Sequence, residues 1–271
     1  MSRVLYARRF GDFDMTAQKQ KQKQKKKRLI VVTADKGGSG KTAVARAMAD
    51  TLMRNALPFL AFDADKRNAQ LHRHYDPALS QFAGVPQGVT RIDLSVQGGA
   101  DDLLNVLGSP TADLVLLDLP AGGGELFERL EKEIRLLDFL EELDYSLTLV
   151  SVISRVKDCI NSLRTLMEFC GDQAEHVVVK NGFFGEADRF RRFDGSKTKA
   201  LLLQRGSRVM TFPDLYDDTF DAIDDQNLTF SQVLQPEQGF SMADRRRVKV
   251  FLDETERQMR LTGDLLGLGG K

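Results

Sequence analysis

At 271 residues the chain is long enough for one α/β domain with a substantial core. Its 42% hydrophobic and 29% charged residues fit a soluble globular protein, and no apolar run approaches the roughly 18–20 residues that cross a bilayer. Two cysteines, Cys159 and Cys170, give no disulfide framework, no signal-peptide pattern opens the chain, and the expectation is a cytoplasmic protein.

The formal net charge of zero hides an asymmetry. Residues 1–28 hold ten Lys/Arg against Asp12 and Asp14, a net +8, so residues 29–271 carry −8. The Lys/Gln stretch from Gln18 to Arg28 is of low complexity and cannot form a core. Residues 1–28 therefore read as a disordered basic tail, with Met15 as an alternative start, and residues 29–271 as one domain. Such a tail can attach loosely to nucleic acid or anionic membrane, or simply solubilise.

The domain opens on an apolar run, Leu29–Val32, that predicts a strand. Asp35-Lys36-Gly37-Gly38-Ser39-Gly40-Lys41-Thr42 follows, and then a helical pattern from Ala43 to Met53. Strand, glycine loop and helix in that order is the context of a phosphate-binding loop. Glycines let backbone N–H groups close around phosphate oxygens, and the helix that begins at Thr42 and Ala43 aims its positive end at them. Lys41 would neutralise β- and γ-phosphates and the Thr42 hydroxyl would bind Mg²⁺.

Residues 58–63 form the next apolar strand, which ends in Asp63-Ala64-Asp65, 22 and 24 residues after Lys41. Two carboxylates one residue apart at a strand end can hold Mg²⁺ or a water. A short strand at 89–94 and a helix at 99–108 precede the buried strand Asp113–Asp118. That strand closes on Asp118-Leu-Pro120-Ala-Gly122-Gly-Gly124, an acid after aliphatics and then a mobile glycine segment. Further helices are expected at 125–142, 155–170 and 214–225, and further strands at 147–153, 174–180 and 207–212. Cys159 and Cys170 fall on one face of the 155–170 helix and read as two buried thiols. His72, His74 and His176 show no metal spacing and read as ordinary surface or strand-end residues.

Two basic segments stand out. Arg189-Phe-Arg191-Arg192-Phe193, continued by Lys197, Lys199, Arg205 and Arg208, interleaves cations with aromatics. Asp244-Arg245-Arg246-Arg247-Val-Lys249 opens a long charged helix that runs to about Leu261. The end from Leu261 to Lys271 is short, broken by glycine and poor in lysine, unlike an amphipathic membrane anchor, so membrane docking is not expected. Strands alternating with helices predict a single α/β domain with a doubly wound, mostly parallel sheet flanked by helices.

The octet with its early lysine, the strand-end Asp-x-Asp and the Asp118 motif resemble the deviant Walker A P-loop ATPases of the ParA/MinD family. The likeness covers residues 29 to about 225 and is densest to 124. It implies a P-loop NTPase fold, ATP and Mg²⁺ as cofactors, a homodimer in the ATP state and slow hydrolysis stimulated by a partner protein. Lys36 would act in trans on the partner subunit's phosphates, Asp65 would orient the attacking water, and Asp63 would support the metal beside Thr42 and Asp118. Asn181 would read the adenine edge and Pro213 would line the base pocket. Gly37, Gly38, Ser39, Gly40, Lys41, Thr42 and Ala43 would hold the phosphates. Basic residues toward the C-terminus of such relatives bind non-specific DNA, which gives Arg245, Arg246, Arg247, Arg191 and Arg192 that expectation. The overall expectation is a positioning or partition switch acting on DNA or on a plasmid-partition or conjugative-transfer complex.

Asp35 stands where the general loop pattern has glycine, and Lys66-Arg67-Asn68 stands where the family continues Pro-Gln-Gly-Asn. An ATP-dependent small-molecule ligase or synthetase with the same loop, or a MinD-like ATPase for a non-DNA cargo, stays open as an alternative. An iron–sulfur carrier is disfavoured, since the cysteines lack Cys-x-x-Cys spacing.

Overall fold

The computed structural model describes residues 27–82, 88–109 and 113–269. The basic tail to residue 26, with Met15, lies outside the described residues. Seven parallel strands form one sheet in the order β3-β2-β4-β1-β5-β6-β7. They are β1 (Lys27–Thr33), β2 (Leu60–Asp63), β3 (Val89–Arg91), β4 (Leu114–Asp118), β5 (Tyr145–Ile153), β6 (Ala174–Asn181) and β7 (Arg208–Phe212). The ten α-helices among the described residues are α1 (Lys41–Arg54), α2 (Gln70–Leu79), α3 (Asp101–Leu107), α4 (Gly123–Ile134), α5 (Leu136–Glu142), α6 (Lys157–Cys170), α7 (Arg191–Asp194), α8 (Lys197–Gln204), α9 (Asp217–Asp225) and α10 (Met242–Arg260).

Side chains of a strand alternate between faces, so continuous apolar strands need cover on both sides. In β1, Ile30 and Val32 pack into the cluster shared with α1, α2, α9 and α10. Leu29 and Val31 pack into the opposite cluster with α3, α4 and α5. A third cluster joins α6, α7 and α8 to β6 through Val178, Leu163, Phe190, Phe193 and Leu202. Each fully buried side chain of this size contributes about 1.5–3 kcal/mol.

β1 lies in the middle of the sheet, with β4 on one side and β5 on the other. The strand order reverses there, and in open parallel sheets the crevice beyond the strands' carboxyl ends at that point is the usual ligand site.

Several elements differ from the sequence expectation. The helix expected at 125–142 is two helices, broken at Arg135, which has φ 50°. The Glu131 carboxylate turns back to accept from the Leu137 N–H at 2.8 Å, and the turn lets Leu136, Leu137 and Leu140 bury. The third strand stops at Arg91 instead of Leu94. α2 was not expected; Pro77 lies inside it. α8 was not expected either, since its lysines read as part of a basic patch.

Candidate nucleotide-binding site

Beyond the carboxyl end of β1 lies a cavity of about 620 Å³, within the usual range for a small-molecule site. Lys36, Gly37, Gly38, Ser39, Gly40, Lys41, Thr42 and Ala43 all line it, together with Asp65, Asn181 and Pro213. Eleven of the thirteen residues assigned to nucleotide, metal or catalysis from sequence thus share one wall system. The other two, Asp63 and Asp118, lie behind it, fully buried at the ends of neighbouring strands.

The loop geometry follows from its glycines. Gly38 and Gly40 hold φ of 75° and 82°, where a side chain is strained. A Cβ on Gly40 would also sit 2.1 Å from the Asn181 amide nitrogen. Gly40 caps α1 without a side-chain partner, which leaves the first-turn N–H groups for a ligand.

Lys41 is 6% exposed, and its ammonium donates to Asp118 Oδ1 at 2.9 Å and to Thr42 Oγ1 at 3.0 Å. Two oxygens therefore converge on one cationic nitrogen. Asp118 Oδ2 is buried without a hydrogen-bond partner. The Thr42 hydroxyl and the Asp118 carboxylate, one of whose oxygens is buried and unsatisfied, are hard donors of the kind Mg²⁺ takes, so the residues present fit that ion. Burial pushes the Asp118 carboxyl up from its ordinary value, and the adjacent Lys41 opposes that shift.

Asp63 has a different task from the one sequence assigned. Its Oδ1 accepts from the Asp65 N–H at 2.9 Å and its Oδ2 from the His72 N–H at 3.0 Å. It pins the strand-end loop to the first turn of α2 and does not face the cavity. Burial, then repulsion from Asp118, raises its pKa to about 6. Asp65 does face the cavity. One of its oxygens holds the Arg67 and Asn68 N–H groups at 3.1 and 3.0 Å, and the other has no partner among the described residues. That turn fixes the loop where Lys66-Arg67-Asn68 departs from the family pattern.

Lys36 is exposed and donates to Asp158 at 2.6 Å, at the start of α6 in the same chain. The pair raises the lysine and lowers the carboxyl from their ordinary values. Asp35, the acid in a glycine position, turns away from the loop and accepts from the Ser162 hydroxyl of α6. It does not line the cavity with the rest of the loop.

At the far end, Asn181 clamps the loop: its Nδ2 donates to the Ser39 carbonyl at 2.8 Å and its Oδ1 accepts from the Phe183 N–H at 3.1 Å. One N–H and one lone pair of the amide stay uncommitted. Phe183, Phe212, Phe220 and Phe251 line this end with Pro213. The sequence reading missed these aromatics; Gly182-Phe-Phe184 directly after Asn181 was the signal available. It also missed Arg46 of α1, which is fully buried, contacts Asp224 and His74, and lies over the Phe220 and Phe230 rings.

The basic segments are not one patch. Phe190 and Phe193 are core residues, so no aromatic face accompanies Arg191 and Arg192. α7 packs on one face of the sheet and α10 on the other, which separates Arg191 and Arg192 from Arg245, Arg246 and Arg247. Arg247 bonds Asp244 at 2.9 Å and covers the Tyr216 ring, whereas the Arg245 and Arg246 side chains have no partner among the described residues. His74 and His176 are buried, against the expectation of ordinary surface or strand-end positions, while His72 is half-buried. Cys159 and Cys170 are free and buried as expected. Among the described residues no helix is long and apolar enough to cross a membrane.

No protein-family model matches the chain. Protein MobD of Acidithiobacillus ferrooxidans is 26% identical over 207 residues, covering 76% of this chain and 86% of MobD. Among solved structures, the MinD cell division protein of Aquifex aeolicus aligns at 17% identity over 86% of this chain and 97% of its own, with a TM-score of 0.48. A ParA family ATPase from Chlorobium tepidum aligns at 14% identity over 83% and 98%, with a TM-score of 0.46. A nucleotide-binding protein of Archaeoglobus fulgidus, solved in complex with ADP, aligns at 16% identity over 74% and 86%, with a TM-score of 0.45. The glycine loop with its two lysines after the central strand, the parallel strand order and the strand-end carboxylates beside the loop give this chain the architecture of a doubly wound P-loop fold.

Proposed function

We propose that the chain is an ATPase that binds ATP with Mg²⁺ in the 620 Å³ cavity, dimerises and hydrolyses slowly, as a positioning or partition switch. The observation that carries this reading is the convergence of Lys41 on Thr42 and Asp118 beneath the glycine loop. Bound Mg²⁺ would supply positive charge to the β- and γ-phosphate oxygens. Thr42 and Asp118 would hold it, and Lys41, released from both, would turn to the phosphates. The α1 N-terminus would bind the same phosphates through its free N–H groups. Asp65 would orient water through its unpartnered oxygen. Asn181 would offer its remaining N–H and lone pair to the base between Pro213 and the phenylalanines.

Lys36 would exchange Asp158 for the phosphates of a second copy. Both groups are exposed, and such a pair holds weakly. In this account Lys36 is available in the monomer and committed in the dimer, and a partner protein that stimulates turnover acts on the dimer. DNA is the proposed cargo surface. Arg245 and Arg246 on α10 are the supported contacts, because their guanidiniums are uncommitted. Arg191 and Arg192, on the opposite face, would serve only as a separate contact.

Retention on non-specific duplex DNA tests the reading. The full chain with ATP and Mg²⁺ should be retained at low salt, and released as salt rises or nucleotide is removed. Lys41→Ala should not be retained. Equal retention with and without nucleotide would defeat the switch, and none at low salt would defeat the DNA arm.

A further inference from the structure

A second cavity, of about 440 Å³, lies on the other side of β1 from the nucleotide site. Its walls are the end of β1 (Thr33, Ala34, Asp35), the start of α4 (Gly122 to Glu128), the end of β5 (Ser151 to Ile153) and the inner side of α6. Two features set its chemistry. Asp35, Glu125 and Glu128 line it, and no lysine, arginine or histidine does. Ser151 is 5% exposed, and its hydroxyl is buried without a hydrogen-bond partner. Strand alternation puts Ser151 on the face of Leu149 and Ile153, toward α4 and α6 and away from Val150 and Val152, which pack under α1. An orphaned buried hydroxyl loses the full cost of its desolvation, and an occupant with N–H donors recovers it.

The remaining lining includes Thr33, Asn161, Ser162 and Thr165 as neutral polar groups and Ile153, Leu163 and Leu166 as aliphatic surface, so the cavity's charges are all acidic and apolar walls lie between its polar groups. That mixture suits a cation on an aliphatic stem, whose chain lies along apolar surface while its head meets carboxylates. A guanidinium presents five donors in a fixed fork and an ammonium three, enough for Ser151 and the carboxylates together.

We infer that the cavity between β5, α4 and α6 is a binding site for an alkylguanidinium or alkylammonium group, and that its occupancy biases the nucleotide loop. The bias follows from which segments form the walls. Thr33 to Asp35 run directly into Lys36, and Gly122 to Glu128 directly follow the Asp118 strand end. An occupant that holds Asp35, Glu125 and Glu128 together fixes both segments that flank the phosphates. The coupling rests on the nucleotide reading above, whereas the binding does not. By linkage, nucleotide must change the affinity for the cation by the same factor as the cation changes that for nucleotide.

The test is calorimetric titration of the full chain, first without nucleotide, with agmatine as a free alkylguanidine and with a capped arginine-containing hexapeptide. Saturable binding of either probe upholds the site; tighter binding of the peptide assigns it to a protein's basic side chain, and tighter binding of agmatine to a free organic cation. Glu125→Gln with Glu128→Gln should weaken binding at least about tenfold, as should be expected when charged partners are lost. No saturation by either probe up to about 10 mM, or unchanged affinity in that double variant, would overturn the site. A wild-type readout covers a variant that fails to fold. Cys159 lines the cavity and Cys170 does not, so agmatine should slow alkylation of Cys159 several-fold relative to Cys170. Equal rates with and without agmatine would contradict the site. Repeating the titration with saturating ADP should shift the agmatine affinity at least about threefold; no shift would overturn the coupling. A chain that takes agmatine but no nucleotide upholds the site while the switch fails, and the converse result removes the site alone.

Discussion

Asp65 holds its turn with one oxygen and is proposed to orient water with the other, and the substitution that tests it has to keep the first. Alanine would remove the acceptor for the Arg67 and Asn68 N–H groups and release the loop. Asp65→Asn keeps an acceptor for the turn and removes the charge proposed to orient water. Phosphate release should fall about 100-fold or more while nucleotide affinity stays within about threefold; a wild-type rate would refute the assignment. His176 offers a test of the core that is independent of nucleotide. Both its ring nitrogens are buried without partners, and burial, then the positive charge of Arg205, lowers its pKa to about 4. The unfolded chain binds this proton near the ordinary value of 6.5 and the folded chain only near 4. The histidine's contribution is therefore fully present above the unfolded value and is lost as pH falls from there toward 4. His176→Leu should gain about 2 kcal/mol over wild type between pH 7 and pH 5, measured by urea unfolding. An equal difference at both pH values would contradict a neutral buried imidazole.

At the level of elements, the break between α4 and α5 is a backbone feature with a price in strain. Arg135 sits at φ 50° as the residue common to both helix ends, where only glycine is unstrained. Arg135→Gly should stabilise by about 0.5–1 kcal/mol in thermal or urea unfolding. Loss of stability would mean that the Arg135–Asp138 pair at 2.9 Å holds the junction more than the backbone strains it. The same break shows why some elements were illegible in sequence. Residues 125–142 carry an unbroken helical pattern, and nothing local marks the turn that Glu131 and the three leucines impose from tertiary contact. α2 was hidden by Pro77 and by buried His74 and Tyr75, which are satisfied by residues distant in sequence: Arg46, Asp224 and Leu228 for the histidine, Asp50 for the tyrosine. The phosphate loop and the strand-end acids were legible because glycine, lysine and carboxylate at those spacings serve few purposes other than phosphate and cation chemistry. Side-chain roles were less so. Asp63 and Asp65 look alike in sequence, and only the fold shows one bonded to backbone amides and the other facing the cavity. The basic segment at 189–193 was misread for a related reason: its aromatics alternate with arginines in sequence, but they point into the α6–α8 cluster.

At the level of the whole molecule, the groups proposed to bind nucleotide and those proposed to respond to it are carried by one sheet. The loop follows β1, Asp118 ends the neighbouring β4, and Lys36 is held by α6 on the other side of the switch point. A ligand at the loop therefore touches both halves of the sheet. The proposal that ATP converts monomer to dimer through Lys36 can be read directly by sedimentation velocity of the full chain with and without ATP and Mg²⁺. Wild type should shift from monomer to dimer with nucleotide, and Asp65→Asn should hold the dimer longer. Lys36→Ala should stay monomeric while still binding nucleotide. A Lys36→Ala protein that dimerises like wild type, or a wild type that binds ATP and remains monomeric at every concentration tested, would contradict the account.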